Sequence, residues 1–113
     1  MQLVQPRKPR THDWIDQRSL ALSQAIVQKL RAEPGLLLVA KNTLSRWIKQ
    51  QQPSVPLVMM EWQEILEKRP FEAVLDLMNS FDENARRLRQ SSPFAGILNE
   101  EERMAIFKKY EAS

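Results

Sequence analysis

Cysteine is absent from this chain of 113 residues, and histidine occurs once. The lack of thiols excludes a disulfide framework and a thiolate metal site. The one histidine, His12, has no serine or carboxylate at a spacing typical of a catalytic triad. Glycine occurs twice, and no glycine-rich phosphate-binding loop is present. We therefore expect a protein that is not an enzyme and that uses neither a cofactor nor a metal ion.

Carboxylates come closest to a metal-binding pattern at residues 100–102, where three glutamates are consecutive. Acidic residues are favoured in the first turn of a helix, because they interact well with its dipole. The triplet is therefore interpreted as a helix start.

Long apolar runs are missing as well. The longest wholly apolar run covers residues 36–40, whereas a helix that spans a membrane needs about 20 residues. The N-terminus also lacks the apolar segment of a secretory signal peptide. A hydrophobic content of 42% and a charged content of 27% are typical of a soluble globular domain. We expect a cytoplasmic protein that makes no membrane contact.

Positive charge is concentrated in the first half of the chain. Residues 1–50 carry nine Lys or Arg against three Asp or Glu, whereas residues 51–113 carry eight against eleven. Such an asymmetry often accompanies contacts with nucleic acid or acidic proteins.

Two prolines and three basic residues open the chain without hydrophobic periodicity. This composition predicts a flexible basic arm over residues 1–11. Its basic side chains are those of Arg7, Lys8 and Arg10. The remaining residues, 12–113, have the length of a single domain.

Apolar residues recur at helical spacing through the rest of the chain. Prolines and polar clusters interrupt this pattern, and no segment alternates as a strand would. The predicted fold is all-α, a compact bundle of five to six short helices. The predicted segments are about Asp13–Ala32, a second from Pro34 to about Gln50, 57–68, a short helix from Pro70, 83–90, and a last helix after Asn99.

Short polar residues precede three of these segments. Ser54 is predicted to cap the third helix and Asp82 the fifth. Asn99 and Glu102 have the spacing of a capping box at the start of the last helix.

The segment RRLRQSSPFAGIL, residues 86–98, departs most from an ordinary helical pattern. The spacing of Phe81, Ala85 and Leu88 predicts the inward side of the fifth helix, so that the arginines point outward in separate directions. Arginine suits carboxylates and phosphates, and a nearby aromatic side chain can anchor a protein interface. The segment therefore predicts a basic hook for a protein partner, formed by Arg86, Arg87, Arg89, Ser91, Ser92, Pro93, Phe94 and Gly96.

A purely structural interpretation of this segment stays open. Arginines near a helix end stabilise its unpaired carbonyl groups, and Pro93 ends the helix. Gly96 can adopt a positive φ, and Phe94, Ile97 and Leu98 could then pack into the core. A phosphate cradle is disfavoured, because it needs several glycines to expose backbone amides and this loop has one.

The segment KNTLSRWIKQ, residues 41–50, resembles the recognition helix of a helix-turn-helix protein. Asn42, Arg46 and Lys49 form a solvent-facing stripe that could reach base edges or phosphates, and the basic arm could track a groove. The expected partner helix and tight turn are missing upstream, so an ordinary amphipathic helix stays an alternative. The second function predicted here is a DNA-binding transcriptional regulator.

The longer segment RRLRQSSPFAGILNEEERMAIF, residues 86–107, resembles the C-terminal signature of a family of small helical bacterial proteins from toxin–antitoxin or defence-type gene pairs. Further resemblance covers HDWIDQRSLALSQAIVQKLR, NTLSRW and EWQEIL, and hence most of residues 12–110. The resemblance implies an antitoxin-like subunit that binds and silences an enzyme encoded beside it, such as a nucleotidyltransferase or a nuclease. It assigns no role to individual residues of the hook.

Overall fold

The computed structural model describes residues 12–110, with side chains from residue 15 onward. The predicted basic arm, with Arg7, Lys8 and Arg10, lies outside the described residues. Within the described part all regular structure is helical, and no strand occurs. The predicted all-α fold is therefore confirmed.

Six α-helices follow the predicted segments closely. Short 3-10 turns at Pro34–Leu36 and Ala95–Ile97 precede the second and the last of them. The helices are α1 (His12–Ala32), α2 (Leu37–Gln50), α3 (Leu57–Lys68), α4 (Phe71–Asn79), α5 (Glu83–Arg89) and α6 (Glu100–Lys109).

Side chains cap two of the three helices for which a cap was predicted. Asp82 accepts a hydrogen bond of 2.8 Å from a backbone N–H of α5. Asn99 and Glu102 form the predicted capping box, with both hydrogen bonds at 2.8 Å. The prediction that Ser54 caps α3 is wrong. Pro56 occupies the cap position of this helix, and no side chain forms a capping hydrogen bond there. Proline at this point supplies a suitable φ without needing a partner for an N–H.

One hydrophobic core joins the helices to the segment after α5. The helix α1 contacts α4, α5 and α6. Phe81, which was predicted to lie on the inward side of α5, is instead 75% exposed. Phe81 lies before the cap of α5, so the helical spacing that would turn it toward the core does not apply to it.

Among the described residues, no helix has both the length and the apolar composition that a bilayer span requires.

Candidate functional site

The aromatic residue of the predicted hook is part of the core. Phe94 and Pro93 are fully buried, and the ring of Phe94 packs edge to face on Trp62 with centroids 5.6 Å apart. The indole Nε1 of Trp62 donates to the carbonyl of Leu88 at 2.9 Å, which ties the end of α5 to α3. A side chain without exposed surface cannot fill a pocket in a partner. The prediction that Phe94 and Pro93 contact a partner is therefore wrong, and the alternative of core packing is observed.

Two of the three arginines pair with acidic residues of the same chain. Arg87 forms a bidentate ion pair with Glu61 of α3, with N–O distances of 2.8 and 2.9 Å. Arg86 forms an ion pair with Asp16 of α1. Both arginine side chains remain about half exposed, and such surface pairs contribute little to stability. Their clearest effect is to position α5 against α1 and α3.

The ion pair of Arg87 predicts a pH dependence of stability. Hydrogen bonds from Arg87 hold the pKa of Glu61 below its usual value of 4.5. Because the folded-state pKa is the lower one, the pair stabilises the fold above the unfolded-state pKa and loses this effect as pH falls through the folded-state value. The urea midpoint of Glu61→Gln is therefore expected to lie below that of the wild type at neutral pH. The two midpoints should converge once the pH has fallen below the folded-state pKa of Glu61.

The control for this measurement is Glu67→Gln, an exposed residue of the same helix that forms no ion pair with any described residue. It removes one negative charge without removing a partner of Arg87. A midpoint difference for Glu61→Gln that is the same at neutral and acidic pH would contradict the prediction.

Arg89, the third arginine, is buried and 9% exposed. The prediction that it points outward is wrong, because it follows the buried Ala85 by four residues and so shares its face of α5. Its Nη1 donates to the carbonyl of Ser80 at 2.6 Å, whereas its buried Nε has no hydrogen-bond partner among the residues that the structure describes. Burial lowers the pKa of the Arg89 guanidinium from its usual value, and the charges of Asp16 and Asp82 partly oppose that shift.

A cleft of about 250 Å³ lies beside Arg89. One wall comes from α1 and the other from the segment that follows α5, and the lining surface taken together is mostly apolar. Single residues of α2, α4 and α6 complete it. The lining residues are Ser19, Leu22, Ser23, Ile26, Trp47, Met78, Arg89, Gln90, Ser91, Ser92, Ala95, Leu98 and Arg103.

The structure therefore divides the predicted hook into three groups. Arg89, Ser91 and Ser92 line the cleft, the ion-paired Arg86 and Arg87 lie outside it, and Pro93 and Phe94 lie in the core. The last predicted member, Gly96, is exposed. The positive φ that a glycine can adopt is not used at Gly96, because the 3-10 turn Ala95–Ile97 keeps the backbone right-handed.

Sequence reasoning missed the contributions of α1 and α6 to this cleft. The sequence gives no indication that Arg103 lines the cleft, because separation along the chain does not determine distance in the folded protein. Ser19 and Ser23 did carry such an indication, since they are small polar residues on the mostly apolar side of α1. Short side chains at core-facing positions leave space between helices.

A second depression of the surface also contains Arg89. It is lined by Phe81, Arg86 and Arg89, and by residues of α1 that include Asp16. The exposed aromatic side chain next to the arginines is therefore Phe81 and not Phe94.

The predicted DNA-facing stripe is exposed. Asn42, Arg46 and Lys49 all point away from the core on α2, and this helix contains no acidic residue. Neither basic residue of the stripe forms an ion pair with a described residue.

The acidic triplet at the start of α6 joins this helix to α1. Glu102 accepts a 2.7 Å hydrogen bond from Lys29 in addition to its capping bond, and these contacts lower the pKa of Glu102, with Lys29 the larger cause. Within residues 12–110, no three potential metal ligands come together.

Comparison of the chain with protein-family models, with curated proteins and with solved structures finds no match.

Proposed function

We propose that this chain is a non-enzymatic binding protein that holds a protein partner at the cleft between α1 and residues 89–98. One observation carries the proposal. The segment singled out by its sequence forms the wall of an open, largely apolar cleft, and it places in that wall a buried arginine whose Nε lacks a hydrogen-bond partner.

The size of the cleft favours a protein partner over a small molecule. Sites for drug-sized ligands occupy about 300–1,000 Å³, and this cleft has about 250 Å³. A space of this size suits one large side chain of a partner, the arrangement typical of interface hot spots. The exposed Phe81, in the depression that also contains Arg89, would add apolar contact surface.

The resemblance of residues 86–107 to antitoxin-like proteins suggests which partner this is. We propose a toxin-like enzyme encoded beside this gene, which the chain silences by occupying and covering its surface. The polar groups offered to that enzyme are Arg89, Ser91 and Ser92, with Arg86 and Arg87 at the periphery. Because these two form surface ion pairs, they can exchange partners at low energetic cost.

Hydrogen exchange on the full chain, alone and with the enzyme encoded beside it, tests the proposal. The expected result is a stable complex with slower exchange at residues 89–98 and 19–26. Failure to form a complex, or protection confined to other segments, would contradict it.

A second candidate function is DNA binding through α2. Arg46 and Lys49 are exposed on this helix, which contains no acidic residue, and both observations support this function. The same exchange measurement with the promoter DNA of the operon tests this candidate. Protection over residues 41–50 that disappears steeply as salt rises would support it, because phosphate contacts release counterions. Unchanged exchange at low salt would exclude it.

A further inference from the structure

We infer that the cleft beside Arg89 is a receptor for a carboxylate adjacent to an apolar side chain, presented by an Asp–Leu-like or Glu–Phe-like segment of the partner. The inference rests on the proposed function and adds the chemistry of the recognised segment.

The three arginines of the motif differ in whether an acidic side chain forms an ion pair with them. Arg86 has Asp16 and Arg87 has Glu61 as ion-pair partners. Arg89 has the least exposed surface of the three and forms no ion pair with any described residue. Within the described part of the chain, its side chain donates a hydrogen bond to the neutral carbonyl of Ser80, and its Nε has no partner.

A buried guanidinium with no carboxylate in direct contact is costly, because burial removes its hydration, and the nearby charges of Asp16 and Asp82 offset only part of that cost. A carboxylate that enters the cleft supplies a direct ion-pair partner. Charged hydrogen bonds of arginine to carboxylates are among the stronger ones in proteins.

The other polar groups of the cleft favour an anion too. Arg103 of α6 adds a second positive charge, and no Asp or Glu is among the lining residues. The Ser92 hydroxyl oxygen accepts a 3.1 Å hydrogen bond from the N–H of Phe94, which leaves its hydrogen available to donate. Ser91 offers a further hydroxyl.

The rest of the lining favours an apolar group beside the anion. Leu22, Ile26, Trp47 and Leu98 contribute apolar surface to the same cleft. A free phosphate would leave this surface exposed to water, whereas a leucine or phenylalanine side chain next to a carboxylate would cover it.

The test uses two probes of the same shape, 3-phenylpropionate and its uncharged amide, titrated into the full ¹⁵N-labelled chain. The acid is expected to bind about tenfold more tightly than the amide, since the amide cannot neutralise the guanidinium. Its binding should shift the backbone amide signals of Ser91 and Ser92 and the Nε–H signal of Arg89. Inorganic phosphate is expected to bind more weakly than 3-phenylpropionate.

Two variants test whether the tighter binding of the acid depends on the cleft. Arg103→Gln is expected to reduce the preference for the acid at least about threefold, because it removes one of two cations. Its matched control is Arg69→Gln, an exposed arginine outside the cleft, which should keep the full preference. Arg103 is only partly buried, so its substitution tests the inference even where a substitution of the buried Arg89 unfolds the chain.

Equal affinity for acid and amide, shifts confined to residues outside the cleft, or stronger binding of phosphate would overturn the inference. Failure of the carboxylate receptor can be distinguished from failure of the proposed function. If acid and amide bind equally while the partner complex still protects residues 89–98, the carboxylate receptor is excluded and the binding function stands. If the acid is preferred but no complex forms with the neighbouring enzyme, the receptor stands and the proposed partner is excluded.

Discussion

Phe94→Ala is expected to lower the free energy of unfolding by about 3–5 kcal/mol, the range for removing a fully buried phenylalanine. The cavity would open beside Trp62, whose ring loses its edge-to-face contact. Total stabilities of small domains are about 5–15 kcal/mol, so the variant should be partly unfolded at moderate temperature. Urea denaturation followed by circular dichroism measures the loss.

Phe81→Ala provides the matched control, because Phe81 lies 13 positions earlier and is 75% exposed. Its free energy of unfolding should stay within about 0.5 kcal/mol of the wild type, as for most surface substitutions. Equal losses in the two variants, or no loss in Phe94→Ala, would show that Phe94 does not hold the motif in the core.

The helices could be predicted from the sequence because their signals are local. Apolar spacing in α1 to α4 and prolines at helix starts depend on neighbours within a few residues, as does the Asn99–Glu102 capping box. The cap predicted at Ser54 does not form, because α3 begins after Pro56 instead.

The burial of the motif could be predicted in part. Arg89 follows Ala85 by four residues, and this spacing alone indicates the buried side of α5. The direction of Phe94 had no comparable signal, because it follows the helix end and no periodicity applies there. Its burial depends on Trp62, which is distant in sequence and meets it only in the folded chain.

The cleft was beyond prediction for the same reason. Its walls are α1 and the segment after α5, which are separated by more than half of the chain. Local patterns describe each wall, but the space between them is set by the packing of α1 on α4, α5 and α6.

Ala95→Trp is expected to weaken binding of the partner enzyme at least about a hundredfold, or about 2.7 kcal/mol. Ala95 lines the cleft and is itself exposed, so that an indole there can occupy the cleft without entering the core. Ser19→Trp would fill the cleft from the α1 wall with the same result. Isothermal titration of the enzyme with each variant measures the affinity, and unchanged urea midpoints show that the fold is intact.

The most direct measurement is therefore the affinity of the partner enzyme for the wild type, for Ala95→Trp and for Ala105→Trp. Ala105 is an exposed alanine of α6 outside the cleft, so its variant adds the same indole elsewhere on the surface. The cleft account predicts wild-type affinity for Ala105→Trp and loss of binding for Ala95→Trp. Equal affinity of all three proteins, together with loss of binding in the double variant Arg86→Gln, Arg87→Gln, would contradict it and place the interface on the ion-paired arginines instead.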